Sequence, residues 1–181
     1  MQLPETVFAS FAGVIDAQSI GRIFQNCAGA TQGGAKTIHL LFQSTGGIIS
    51  DGISLYNFFR SLPLEVHLYN TGGVHSIAVL AYLGAAHRHV SEHANFMIHK
   101  SHFGAQAGVN AAKLGSLAES LLAEDARTEA IVKQRTNIPA DKWSLHALQE
   151  VTFNAQEAVQ FGIADDIREF QVPSGHQLFN I

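Results

Sequence analysis

Ser76 lies in the stretch Gly72-Gly73-Val74-His75-Ser76-Ile77-Ala78-Val79-Leu80, between a strand-like apolar run (Val66, Leu68, Tyr69) and a helix-like one. A serine at a glycine-rich strand-to-helix turn has a fixed, exposed hydroxyl. It also lies beside the unpaired N–H groups of a helix start, which favour negative charge. Such a place suits a nucleophile whose reaction creates an oxyanion. It equally suits an N-cap serine, whose hydroxyl only accepts from a helix N–H.

Three further segments carry chemistry. Gln43-Ser44-Thr45-Gly46-Gly47 closes an apolar strand, Ile38 to Phe42, and leads into a helix-like stretch. Adjacent glycines let the backbone approach a ligand and aim N–H groups at it. Phe96-Met97-Ile98-His99 is a short apolar strand ending in histidine, and Glu150 precedes the segment Val151 to Asp165. Serine, histidine and an acid in that chain order are the parts of an acyl-transfer triad: the base takes the serine proton and the acid fixes the imidazole tautomer. His102 competes with His99 as the base, but His99 closes an apolar strand and so has a fixed position. His75 adjoins Ser76, where it would line the pocket or perturb the base.

These residues resemble the proteolytic subunit of the Clp protease, within the crotonase-like fold. The likeness spans roughly Lys36 to Arg168. Ser44-Thr45-Gly46-Gly47 is similar to that family's Ser-Pro-Gly-Gly. Gly72 to Ala78 resembles its Gly-x-Ala-x-Ser-Met-Ala turn, with Ser76 in the nucleophile's place. Met97-Ile98-His99-Lys100 resembles its Met-Ile-His-Gln, and Ala155 to Asp165 its late Ala-x-Glu-Ala-x-x-x-Gly-Leu-x-Asp segment. The resemblance implies Ser76, His99 and Glu150 as the triad, with Gly47 and Ile77 donating the oxyanion-hole N–H groups. The departures are His75 for a small residue, Ile77 for Met, Thr45 for Pro, Lys100 for Gln, and Glu150 for Asp, one methylene longer. Family members that work with an ATPase carry an N-terminal axial segment. Here Met1-Gln2-Leu3-Pro4-Glu5 runs almost at once into the first strand, so an ATPase partner is not expected.

The elements that must position these residues alternate. Strands are expected at Val7–Phe11, 38–43, 65–70, 86–90 and 95–99. Helices are expected at Asp16–Cys27, with Asp16 as N-cap, and at 51–60 and 76–84, the last ended by Gly84; 28–36 reads as a loop. Strands interleaved with helices require crossovers and a largely parallel sheet. Sites in such sheets form beyond the carboxyl ends of strands, where Gly46-Gly47 and Ser76 both fall. A long helical signal runs from about Val109 to Arg135, with Leu114, Leu117, Ala118, Leu121 and Leu122 on one face. Either it is a core helix, or it is the family's protruding helix that packs rings together. A turn at Pro139 and a short helix follow. The expected architecture is α/β: one domain over 1–181, of stacked sheet-and-helix repeats with a protruding long helix. The resemblance divides it into a head (roughly 1–98 and 150–181) and a handle (roughly 99–149).

Composition bounds the rest. The chain has 181 residues, enough for one domain with a proper core. Only 14% of residues are charged, against about 25% usually; so few charges suggest a surface partly covered by other subunits. A net charge of −4 gives no basic footprint for nucleic acid. No apolar run is long enough for a membrane span and no signal peptide is evident, which favours the cytoplasm. The single Cys27 reads as a buried apolar residue. Among ten histidines, His87, His89 and His93 are close in sequence, with Glu92 as the one acidic neighbour. Alternation puts His87 and His89 on one strand face, and they read as surface residues rather than metal ligands. No metal or cofactor is expected. The reading is a serine peptidase acting on peptides or unfolded protein in a homo-oligomeric ring, possibly stacked in pairs. The alternatives are a crotonase-like acyl-CoA enzyme and a non-catalytic assembly subunit.

Overall fold

The computed structural model describes residues 4–104 and 108–181. Met1–Leu3, on which the expectation about an axial segment partly rests, lie outside the described residues, as does the stretch 105–107 within the expected handle. In chain order the first half contains β1 (Thr6–Ala12), α1 (Ala17–Gln32), β2 (Thr37–Gln43), α2 (Ile49–Ser61) and β3 (Glu65–Asn70). Then come β4 (Gly73–His75), α3 (Ile77–Leu83), β5 (His87–Val90) and β6 (Asn95–Ile98). The second half contains α4 (Ala111–Arg135), α5 (Ala140–His146), β7 (Val151–Asn154), α6 (Ala155–Gln160), β8 (Asp166–Ile167) and β9 (Leu178–Asn180).

Six strands form one sheet in the order β8-β5-β3-β2-β1-β9, with every pair parallel. Crossover helices make this possible, because parallel neighbours cannot be joined by a tight turn. Alternation sends Ile38, Leu40, Phe42, Val66 and Leu68 into the core, where Ile23, Cys27, Leu55 and Phe59 of the helices meet them. Cys27 is buried as expected, and burial pushes its thiol up to about 12. The opposite face carries a cross-strand row of rings. Phe8, His39, His67 and His87 are successive register partners, with centroids 5.0, 4.5 and 4.2 Å apart. Burial first, then the neighbouring imidazoles, press His67 down to about 4, so it is neutral near pH 7.

A second, three-stranded sheet was not foreseen as such. β4 pairs in parallel with β6, and β6 pairs antiparallel with β7. β4 escaped because Gly73-Val74-His75 is only one apolar residue flanked by two others. The parallel main sheet, this smaller sheet and the interleaved helices make the mixed α/β architecture of the crotonase-like fold.

Two boundaries differ from expectation. Helix α1 continues to Gln32, so most of the expected 28–36 loop is helical; Ala28 and Ala30 favour that, and Ala30 is buried. Gly84 does end α3, but with ordinary right-handed geometry. It is required for closeness: an added Cβ would lie 2.5 Å from the Tyr56 carbonyl oxygen of α2. The N-cap expectation holds, since Asp16 and Ser19 form a reciprocal capping box.

The structure corrects the core reading of the long helix for most of its length. Only Val132, near the C-terminal end of α4, is buried, while Leu114 and Leu122 are 57% and 68% exposed. The first half of α4 is therefore not a core element of its own chain. No helix among the described residues is long and apolar enough to cross a membrane.

Candidate active site

Ser76 stands at the junction of β4 and α3, with φ 58° and ψ −133°. It is the one non-glycine residue with positive φ among the described residues. A serine held there costs on the order of 1–3 kcal/mol, and such strain persists only where surroundings enforce it. They do so here. The Ser76 N–H donates to the Met97 carbonyl of β6 at 2.7 Å, and the His75 N–H donates to the Ser44 carbonyl at 2.9 Å. The hydroxyl makes no cap bond to α3, so the N-cap explanation of this serine fails.

The double glycine is explained by contact. At Gly46 (φ 100°) an added Cβ would lie 2.6 Å from Ser76 Cβ. At Gly47 (φ 154°) it would lie 2.1 Å from the Ile15 carbonyl oxygen. That closeness is locked by the Ile15 N–H donating to the Gly46 carbonyl and the Ile48 N–H donating to the Ile15 carbonyl, both 2.8 Å. Neither the Gly47 nor the Ile77 N–H has a backbone or side-chain acceptor among the described residues. Ile77 is the first residue of its helix, where the N–H has no intrahelical acceptor.

Gly47, Ser76, Ile77 and His99 line one cavity of about 500 Å³, walled by Leu80, Leu121, Val132 and Trp143. His99 is half-buried, and its Nδ1 lies 2.7 Å from the Lys100 carbonyl oxygen. A carbonyl only accepts, so Nδ1 carries the hydrogen and Nε2 has the free lone pair. His102 shares the cavity wall, its ring centroid 5.2 Å from that of His99. Among the described residues Ser76 is hydrogen-bonded to neither imidazole. His75 is not in the cavity wall: its Nε2 meets the Asn95 side chain at 2.7 Å across the small sheet. Glu150 is exposed and is not in the wall either. Its backbone, however, is placed beside that of His99: both residues adjoin Ile98↔Val151, the last pair of the β6–β7 register.

Sequence reasoning missed the supports beneath the site. Lys100 is paired with Glu129 of α4 and lies 3.6 Å from Asp125. Asp125 also accepts from the Ser101 N–H at 2.8 Å. Burial alone would raise Glu129, but hydrogen bonds from Lys100 and Lys133 hold its carboxyl below the ordinary range. Buried His146 lies 3.7 Å from Glu129 and edge-on to Trp143. Burial lowers its pKa, against the opposing pull of Glu129 and the His99 carbonyl. The one signal available in the sequence was Lys100 itself, a cation where the resembled motif has an amide.

An uncapped serine at a strained strand–helix turn thus shares one cavity with an imidazole and two residues whose N–H groups are free, on a crotonase-like fold. The family model described as Clp protease matches residues 11–171, and the chain belongs to that family. It is similar to the ATP-dependent Clp protease proteolytic subunit 1 of Leifsonia xyli subsp. xyli (strain CTCB07), with 25% identity over 142 residues, 77% of this chain and 71% of that relative.

The strain at Ser76 has a measurable consequence. Ser76→Gly is expected to be about 1 kcal/mol more stable than Ser76→Ala, because only glycine relieves the positive φ. Paired denaturant melts of the two variants check this, and equal stabilities would remove the strained turn from the account.

Proposed function

We propose that this chain is a serine peptidase, acting on peptides or unfolded protein within a homo-oligomeric ring. The observation that carries the reading is Ser76: its backbone is held in a glycine-like conformation and its hydroxyl is left free in a cavity shared with His99. In this reading His99 Nε2 takes the proton as Ser76 Oγ attacks the peptide carbonyl. The Gly47 and Ile77 N–H groups receive the oxyanion, and His99 then protonates the leaving amine. Water, activated by the same imidazole, hydrolyses the acyl-enzyme.

The Lys100 carbonyl sets the His99 tautomer at rest, which is half of a triad acid's work. Stabilising the imidazolium is the other half and needs a negative charge. Glu150, beside His99 at the backbone, is the residue assigned to it. An exposed carboxylate in that role implies a slow enzyme rather than a dead one.

Labelling by a serine-reactive fluorophosphonate is expected at Ser76, and Ser76→Ala is expected to lower kcat on a short peptide ester on the order of 10³-fold or more. Absence of labelling together with tight coenzyme A binding would overturn the peptidase in favour of an acyl-CoA enzyme. On the same substrate Glu150→Asp should raise kcat, and Glu150→Ala should lower it far less than Ser76→Ala does. If both Glu150 variants match the parent, Glu150 has no part in the site.

Assembly follows from α4. The family forms oligomeric rings, and exposed Leu114 and Leu122 offer apolar area that a second copy covers. Light scattering is expected to give a multiple of the monomer mass, and Leu114→Ser with Leu122→Ser to reduce it. A stable monomer at micromolar concentration would count against a closed proteolytic chamber.

A further inference from the structure

The ring-bearing face of the main sheet brings Glu65 and His67 of β3 together with His87 of β5, well downstream in the sequence. Glu65 and His67 are two apart on β3 and so share a face. His67 and His87 are direct register partners on β3 and β5. One donor atom from each of the three lies within 4.8 Å of the others. Glu65 Oε1 is 2.8 Å from His87 Nε2 and 3.7 Å from His67 Nε2. All three sit on paired strands, which hold side chains more rigidly than loops.

The protons on this face are set by a chain that begins at Asp166. Its carboxylate accepts from Arg168 at 2.6 Å and lies 2.5 Å from His89 Nδ1. A carboxylate accepts only, so His89 Nδ1 donates, and with that nitrogen carrying the hydrogen of the neutral tautomer His89 Nε2 is an acceptor. His67 Nδ1 lies 3.0 Å from that Nε2 and therefore donates to it. The His67 Nε2 lone pair is thus left bare, pointing at a carboxylate oxygen. Were Nε2 protonated instead, it would close on Glu65; at 3.7 Å it is beyond hydrogen-bond reach. The same Glu65 oxygen accepts from His87 Nε2 at 2.8 Å, so a cation bound here takes the place of that hydrogen and gains the His67 lone pair as well.

We propose that Glu65, His67 and His87 form a binding site for a divalent transition-metal ion of the zinc type. Two imidazole Nε2 atoms and one carboxylate oxygen are the ligands, and water completes the shell. Bonds of 2.0–2.1 Å in tetrahedral geometry put ligand atoms roughly 3.3 Å apart, and the observed 2.8 and 3.7 Å bracket that value. The His67–His89–Asp166 chain is the outer support such sites use, with the ligand's second nitrogen donating toward a carboxylate. Imidazole with carboxylate selects zinc, cobalt or nickel over magnesium or calcium, which take oxygen ligands. Glu65 and His87 are about half exposed, so an ion has direct access. The site is independent of Ser76 and of the peptidase reading.

Cobalt(II) titration of the untagged, EDTA-treated full chain tests it. One equivalent per chain is expected, with the visible absorption of a four- or five-coordinate ion, displaced by zinc. Glu65→Gln and His87→Gln, both at solvated positions, should each weaken binding at least tenfold. Asp166→Asn should weaken it about 10- to 100-fold through the outer support, and His102→Gln should leave it unchanged. Failure to bind one equivalent overturns the site. So does binding that survives Glu65→Gln and His87→Gln together, or that is lost with His102→Gln, which would move the metal to the Ser76 cavity.

Discussion

The 2.7 Å bond from the Ser76 N–H to the Met97 carbonyl is the contact on which the arrangement turns. It fastens the turn after β4 to β6, the strand that delivers His99 two residues later. Serine and histidine therefore keep their relative place through one short backbone bond rather than through their side chains. That bond, with the one from the His75 N–H to Ser44, holds Ser76 at φ 58° against a cost of order 1–3 kcal/mol. Against a net stability of about 5–15 kcal/mol for a whole domain, such a cost is not carried without use. A free hydroxyl, with no capping duty, is what it yields.

From Met97 the dependence continues outward. His99 takes its tautomer from the Lys100 carbonyl, and Lys100 is anchored on α4 through Glu129 and Asp125. The ion pair is partly buried, so its strength owes more to hydrogen bonding than to an exposed pair's fraction of a kcal/mol. α4 in turn has few buried contacts of its own beyond Val132. The imidazole proposed as base is thus positioned by a helix whose outer half is uncovered in the single chain. Whatever packs on α4 bears, through Glu129 and Lys100, on the tautomer-setting carbonyl. This is a physical route from assembly to the site.

Much of this was legible in the sequence because local chemistry and tertiary demand agreed. β1, β2 and β3 carried alternating apolar residues, and Gly46-Gly47 and Ser76 fell at strand ends where turns were required; β8 and β9, only two and three residues long, were not expected. What was not legible depended on partners distant in the chain. β4 is a strand only because β6 lies beside it. The end of α1 was misplaced because a helix carried through Gly29 looks like a loop in composition. His75 was suspected of facing the cavity, yet β4 turns it toward Asn95. The carboxylate expected of Glu150 shows the same limit: its backbone lies beside the end of β6, but side-chain direction is not written in a motif.

His67 and His99 show how one residue type acquires different chemistry from what its Nδ1 donates to. Both rings donate a hydrogen bond from Nδ1–H, His99 to the Lys100 carbonyl and His67 to His89, and both keep a bare Nε2. What faces that lone pair then decides the use. His99 shares its cavity with the Ser76 hydroxyl, which holds a proton to be taken, and there the imidazole suits a base. On the sheet it is an oxygen of the Glu65 side chain, 3.7 Å away, and the imidazole suits a ligand. His87 and His89 were read from the sequence as a surface pair; they do share a face, but His89 is buried beneath Asp166 and Tyr69, which alternation along one strand could not show. The decisive partners, Glu65 and His67, come from the neighbouring strand, and register alone brings them there.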